Sequence, residues 1–96
     1  MAQEYELVRI PITGELDLHT FDPRETASVL EAYLTACRKR RIYELRIIHG
    51  KGRGTLRETV HAFLRRSPLV LSFRLGDETS GSWGATLVAL KRRPGD

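Results

Sequence analysis

The sequence predicts an α/β fold, a two-layer sandwich in which two helices cover one face of a four-stranded mixed sheet. Four short apolar runs have the composition of strands, and two segments repeat apolar residues at helical spacing. These segments alternate in the order βαβαββ. Because strand–helix–strand connections are right-handed in nearly all sheets, both helices should lie on the same face.

The first strand is predicted at 16–18, and a helix follows it. Asp22 is suited to cap the helix and Pro23 to occupy its first position, with Glu25 three residues after the cap. Apolar residues then recur at helical spacing, and the helix is predicted to run to about Arg41. The cationic run Arg38 to Arg41 is interpreted first as a solvated helix end and second as a nucleic-acid contact.

The second half of the chain supplies another strand, a helix and a terminal hairpin. Thr55 and Glu58 have the spacing of a capping box at the start of the second helix, and Ser67-Pro68 ends it. The strands are predicted at 45–49, 69–75 and 85–90, with a loop at 76–84.

Length and composition indicate one domain, with an arm at 1–13, a core domain at 14–91 and a basic tail at 92–96. The chain has 96 residues, of which 41% are hydrophobic and 29% charged. No apolar run approaches the ~18 residues of a membrane span, and a single cysteine, Cys37, excludes an intrachain disulfide. A cytoplasmic monomer without membrane contact is therefore expected. The net charge of +4 weakly favours polyanionic partners.

Two motifs carry the chemistry, Leu16-Asp17-Leu18-His19 and His49-Gly50-Lys51-Gly52-Arg53-Gly54. Each ends a predicted strand, and parallel strands bring their carboxyl ends to the same edge of a sheet, so the motifs should meet. Asp17 and His19 are two residues apart, which predicts that they point to one sheet face. The glycines allow close approach of a ligand, and the helix that follows offers free N–H groups to an anion. The spacing fits neither a Walker phosphate loop nor a dinucleotide fingerprint.

The two motifs, in this order and about thirty residues apart, resemble the small MutS-related (Smr) domain over roughly residues 14–90. Leu56-Arg57 and Gly84-Ala85-Thr86-Leu87-Val88 add to the resemblance. It implies the βαβαββ sandwich, similar to the C-terminal domain of translation initiation factor three. It also implies an endonuclease that nicks DNA or cleaves RNA, with the ribosome as a further candidate partner. Thr20 departs from the glycine that often follows L-D-L-H, and a β-branched residue there would resist a positive φ.

The resemblance implies that Asp17 and His19 carry cleavage and that the glycine turn binds the phosphate. On chemical grounds, one of His19 and His49 would act as general base and the other as general acid. Candidates for phosphate or nucleic-acid binding are Gly50, Lys51, Gly52, Arg53, Gly54 and Arg57. No metal ligands are assigned and no cofactor is expected to be required, because one carboxylate with imidazoles offers too few oxygen ligands for Mg²⁺. Mg²⁺ or Mn²⁺ stays open for DNA, where water must attack and Asp17 with His19 would help to hold the ion.

Two other functions fit the same residues. The domain could bind nucleic acid or a ribosome without cutting it, or it could bind a mononucleotide or a protein. His61 is interpreted as a partly exposed surface residue and Cys37 as part of the core. Trp83 is interpreted as packing over the sheet edge or stacking on a base.

Overall fold

The computed structural model describes residues 11–52, 54–77 and 84–94, and within them it confirms the predicted order of elements. Residues 1–10 of the predicted arm, Arg53 and Trp83 lie outside the described residues. The main elements are β1 (Glu15–Asp17), α1 (Thr26–Lys39), β2 (Glu44–Ile48), α2 (Thr55–Arg66), β3 (Val70–Leu75) and β4 (Ala85–Leu90).

The described strands form one mixed sheet in the order β1-β2-β4-β3, which confirms the predicted fold class. β1 and β2 are parallel neighbours, with Leu16 beside Ile47 and Asp17 beside Ile48. β4 runs antiparallel to both β2 and β3. This topology places the end of β1, the end of β2 and the start of β4 at one edge of the sheet.

The core lies between the helices and one face of the sheet. Strand residues Leu16, Ile47 and Val88 are at most 3% exposed, and they pack with buried residues of both helices, among them Leu30, Leu34, Val60 and Leu64. The opposite face carries a row formed by Glu15, Arg46, Leu87 and Arg74.

Cys37 is in the core as interpreted, and burial raises the pKa of its thiol to about 11. Neither described helix has the length and apolar character that crossing a bilayer requires.

The first helix differs from its predicted bounds at both ends. Asp22 does cap the chain by accepting the N–H of Arg24 at 2.9 Å, but the residues it caps, Pro23–Glu25, form a 3-10 turn that precedes α1. The helix ends at Lys39 because Arg41 adopts a left-handed conformation, with φ of 61°. The N–H of Ile42 then returns to the carbonyl of Cys37 at 2.9 Å, a common way to close a helix.

The second helix begins at Thr55, but the predicted capping box is wrong. Gly54 occupies the cap position with φ of 82°, and no side chain caps the helix. Thr55 is already helical, so its hydroxyl is one residue too late to serve as the cap. It is instead the carbonyl of Gly54 that starts the helix, accepting the N–H of Glu58 at 2.8 Å.

Candidate functional site

The two sequence motifs meet at one edge of the sheet, as predicted from the parallel arrangement of their strands. Asp17 and Ile48 are paired residues at the ends of β1 and β2. The chain continues from them into His19 on one side and into His49 and the glycine turn on the other. The side chain of His19 contacts the glycine turn at Gly50.

Asp17 and His19 form a hydrogen-bonded pair. A turn brings them together, and not the alternation along a strand that was predicted to do so. β1 ends at Asp17, and Leu18–Thr20 form a 3-10 turn. One carboxylate oxygen of Asp17, Oδ1, accepts both the backbone N–H of His19 at 2.9 Å and its ring Nδ1 at 2.8 Å. Both side chains are about half exposed. The carboxylate thus fixes the ring and keeps the proton on Nδ1, which leaves Nε2 for chemistry.

Thr20 fits this turn without a positive φ. Among the described residues other than glycine, only Arg41 has one. The Thr20 hydroxyl donates to the carbonyl of Asp17 at 3.3 Å. The expected conflict at this departure from the family pattern therefore does not arise.

The ring of His19 lies against Gly50. A Cβ at Gly50 would come within 2.8 Å of His19 Nε2, and Gly50 has φ of 86°, a conformation that side chains disfavour. Two constraints therefore favour glycine at position 50: the positive φ of its backbone and the His19 ring packed against it. Nε2 of His19 faces the glycine turn.

The turn is held at its base by the carbonyl of Gly84, just before β4. That oxygen accepts the N–H of His49 at 2.9 Å and the N–H of Gly50 at 2.8 Å. The N–H of Gly50 is therefore not available to a phosphate. The stem of Lys51 passes over Gly84, and Lys51 itself is exposed, as an anion-binding residue should be.

The remaining glycines of the turn differ in what they require. A Cβ at Gly54 would lie 2.6 Å from the guanidinium of Arg57, so Arg57 lies over the start of α2. Gly52 has no left-handed backbone and, among the described residues, nothing within 4 Å of a Cβ built on it. The conformational argument for glycine therefore holds at Gly50 and Gly54 but not at Gly52.

His49 lies beneath the turn rather than in it. It is 4% exposed, and both ring nitrogens are bonded: Nδ1 to the carbonyl of Gly50 at 3.0 Å and Nε2 to Thr86 Oγ1 at 2.8 Å. Since a carbonyl only accepts, Nδ1 carries the proton and Nε2 accepts from the Thr86 hydroxyl. In this arrangement His49 has no nitrogen free to exchange a proton with a substrate.

His61 extends this network, and the sequence analysis missed its role. Its Nε2 lies 2.7 Å from Thr86 Oγ1. Because the hydroxyl proton of Thr86 is directed to His49, Oγ1 accepts the N–H of His61. The interpretation of His61 as a surface residue is therefore incomplete. A signal was present in the sequence, since Thr86 is a polar residue at an inward position of an otherwise apolar strand.

The pKa values agree with this direction of proton donation. Burial is the largest effect and lowers the pKa of His49. The hydrogen bond to the Gly50 carbonyl is the next largest and opposes it, while the electrostatic effects of Arg57 and His19 are smaller and lower the pKa further. Burial also lowers the pKa of His61, assisted by His49, Arg65 and Arg57. Both rings are thus held neutral. A proton on His49 Nε2 would leave the Thr86 hydroxyl without an acceptor.

Within the described ranges, no three side chains of His, Cys, Asp or Glu come together as a group able to hold a metal ion. The expectation that no cofactor is required, with Mg²⁺ or Mn²⁺ open, stays a prediction.

Replacing Gly50 with Ala should destabilise the protein by about 1–3 kcal/mol, because alanine would be strained at this φ and would push the His19 ring aside. Gly52→Ala is the matched control and should be neutral or slightly stabilising. Urea unfolding measures both. Equal losses in the two variants would contradict the account of the turn.

Replacing Thr86 with Val should cost about 1–3 kcal/mol, since it leaves Nε2 of both His49 and His61 without a partner. Thr86→Ser keeps the hydroxyl and should retain most of the stability. The comparison is made by chemical unfolding at about pH 7.5, where the rings are neutral. A valine variant as stable as the wild type would contradict a stabilising role for the two hydrogen bonds that join Thr86 to His49 and His61.

Stability should fall as the pH decreases through about 6.5. The pKa values of His49 and His61 in the folded protein lie below 6.5, the ordinary value for the unfolded chain. Between the folded and the unfolded pKa of each histidine, the unfolded chain binds more protons than the folded protein. The slope is at most about 1.4 kcal/mol per pH unit for each histidine. His61→Gln removes one of the two groups and should flatten the profile measured by urea unfolding. An unchanged profile would show that His61 does not titrate in this way.

Comparison with known proteins identifies the family. The sequence profile of the Smr domain matches residues 16–91. Endonuclease MutS2 of Thermomicrobium roseum is 39% identical over 91 residues, covering 94% of this chain and 12% of that protein. Endonuclease MutS2 of Lachnospira eligens is 41% identical over 80 residues, covering 83% of this chain and 10% of that protein. The chain thus spans about a tenth of the length of these relatives.

Solved structures agree with the sequence comparison. The Smr domain of Thermus thermophilus MutS2 superposes with a TM-score of 0.75 at 34% identity, covering 82% of this chain and 99% of that one. YdaL, a stand-alone small MutS-related protein from Escherichia coli, also gives 0.75 at 25% identity, covering 86% of this chain and 67% of that one. The resemblance inferred from two motifs is confirmed. The chain belongs to the Smr domain family.

Proposed function

We propose that this chain is an endonuclease that cleaves phosphodiester bonds of DNA or RNA at the edge where His19 meets the glycine turn. Membership in a family whose relatives include MutS2 endonucleases supports the reaction class. The observation that carries the proposal is the geometry of His19. Asp17 holds Nδ1 at 2.8 Å, and Nε2 lies over Gly50, the residue before the exposed Lys51.

In the proposed mechanism His19 is the general base. Its neutral Nε2 takes a proton from the attacking oxygen, which is the 2′-hydroxyl in RNA or water in DNA, as that oxygen bonds to phosphorus. The bond between phosphorus and the leaving oxygen breaks, and the leaving oxygen takes its proton from the imidazolium of His19 or from solvent. Asp17 stabilises the imidazolium that forms and keeps the ring oriented, because its Oδ1 accepts from both the ring and the backbone of His19.

The glycine turn and the start of α2 bind the phosphate. Lys51 and the guanidinium of Arg57 supply positive charge, and the first N–H groups of the helix supply donors. Gly52 leaves the turn open to a ligand, while Gly50 and Gly54 supply the backbone conformation that shapes it. Arg53 is a further candidate from the same turn. These groups would stabilise the charge that develops on the phosphoryl oxygens in the transition state.

In this proposal His49 does not take the acid or base role that chemical reasoning from the sequence gave it. Its buried ring donates to the Gly50 carbonyl and accepts from Thr86, so it fixes the residue over which His19 works. We therefore assign cleavage to Asp17 and His19, and positioning of the turn to His49.

His19→Ala should lower cleavage by about 100-fold or more, because a general base contributes roughly that factor. Asp17→Asn should lower cleavage less and keep nucleic-acid binding. The assay uses end-labelled single-stranded RNA, duplex DNA and supercoiled plasmid, each with EDTA, Mg²⁺ or Mn²⁺. Thr20→Ala is the control, since its side chain bonds only the Asp17 carbonyl among the described residues.

The assay distinguishes metal-dependent from metal-independent cleavage, cleavage from binding alone, and a catalytic from a non-catalytic His19. Cleavage in EDTA means that no metal is needed, and cleavage restored only by a cation means that one is. Binding without cleavage by the wild type would favour the non-catalytic binding module. Activity that survives in His19→Ala would show that His19 is not the base.

A further inference from the structure

The edge of the molecule opposite the candidate site collects positive charge. Both helices end there, because each starts near the site and runs back antiparallel to β1 and β2. β4 also ends there, because it is antiparallel to β2. We name as the basic end the nine residues that lie at these termini: Arg38, Lys39, Arg40, Arg41, Arg65, Arg66, Lys91, Arg92 and Arg93.

The charge asymmetry is large. The basic end contains nine of the sixteen Lys and Arg residues of the chain. Among the described residues, Glu44 at the start of β2 is the carboxylate at this edge. A field of this kind attracts polyanions and raises their rate of association.

Hydrogen bonds and a cation–π contact hold several of these cations close together. The guanidinium of Arg38 donates to the carbonyl of Lys91 at 3.0 Å and of Arg92 at 3.4 Å, which joins the end of α1 to the segment after β4. Arg92 in turn stacks 4.5 Å above the ring of Tyr43. These contacts hold like charges together despite their mutual repulsion.

Helix dipoles do not account for the whole cluster. Cations in the last turn of a helix are favoured by the dipole, which explains Lys39 and Arg66 without a ligand. Lys91, Arg92 and Arg93 follow a strand and belong to no helix. Their backbone is nevertheless fixed, since the N–H of Lys91 bonds the carbonyl of Leu69 at 2.8 Å and Arg38 holds the next carbonyls. The cluster thus has a surplus of positive charge that a bound polyanion would neutralise.

We propose that the basic end is a second contact surface for the phosphate backbone of the nucleic acid whose cleavage the candidate site performs. This inference rests on the proposed function for the identity of the ligand. From Tyr43 to His49 the chain covers about 20 Å at roughly 3.3 Å per residue. A duplex with a phosphate every ~3.4 Å along each strand needs about six base pairs to reach from one edge to the other.

The test is the salt dependence of binding to a fluorescein-labelled DNA duplex of about 16 base pairs and to RNA of the same length. The test variant is Lys39→Gln with Arg93→Gln, two exposed residues for which the described part of the chain shows no side-chain hydrogen bond or ion pair. The control is Arg24→Gln with Arg74→Gln, which removes the same charge elsewhere. Arg24 is already paired with Asp22 at 2.8 Å. Arg66→Gln with Arg93→Gln gives a second test pair if the first unfolds.

The basic-end variant should bind several-fold more weakly. The slope of log K against log salt should be shallower by about 1.8 for duplex DNA, which is about 0.9 for each lost phosphate contact. The control should keep a nearly wild-type slope. A basic-end variant with wild-type affinity and slope would overturn the proposal, and so would an equal loss in the control, because net charge alone would then explain binding.

The same experiment separates this inference from the proposed function. If the wild type cleaves but the basic-end variant keeps its slope, the inference fails and the endonuclease stands. If nothing is cleaved but the slope still falls in the basic-end variant, the endonuclease fails and the second contact surface stands. Absence of nucleic-acid binding by the wild type would exclude both.

Discussion

The candidate site depends on the parallel pairing of β1 with β2. β1 has only three residues, so its position needs support from outside the sheet. The buried hydroxyl of Tyr33 supplies it by accepting the N–H of Gly14 at 3.1 Å and donating to the carbonyl of Glu15 at 3.0 Å. The carbonyl of Gly14 then receives the N–H of Arg46 at 2.7 Å. One phenol on α1 therefore helps to set the register that brings His19 to Gly50.

The second constraint is that the glycine turn must be rigid at its base and open at its tip. Gly84, His49 and Thr86 provide the rigid base through hydrogen bonds buried under the turn. Neutral histidines suit this task, because each ring can donate from one nitrogen and accept at the other. The tip carries the exposed Lys51, so positive charge stands on the side of the turn that is open to solvent.

Charge is distributed unevenly along the molecule, in keeping with the different tasks proposed for its two ends. The candidate site combines Asp17 and His19 with a few cations, which suits proton transfer at a single phosphate. The basic end has nine cations without chemistry of this kind, which suits retention of a long polyanion. β2 connects the two ends directly, since it begins beside the basic end and finishes at His49.

The sequence by itself determined the order of elements, the apolar faces of the helices and the meeting of the two motifs. These follow from periodicity and from the geometry of parallel strands, which act over short stretches of chain. It also predicted Asp22 as a cap, while the ends of α1 and the cap of α2 depended on local backbone choices at Arg41 and Gly54. Only the tertiary structure decided that His49 is buried and bonded at both nitrogens. It likewise decided that His61 joins it through Thr86 and that three separate basic segments share one edge. Those facts join residues far apart in the chain, and a hydrogen bond or a summed electric field depends on distance in space, which spacing along a sequence does not contain.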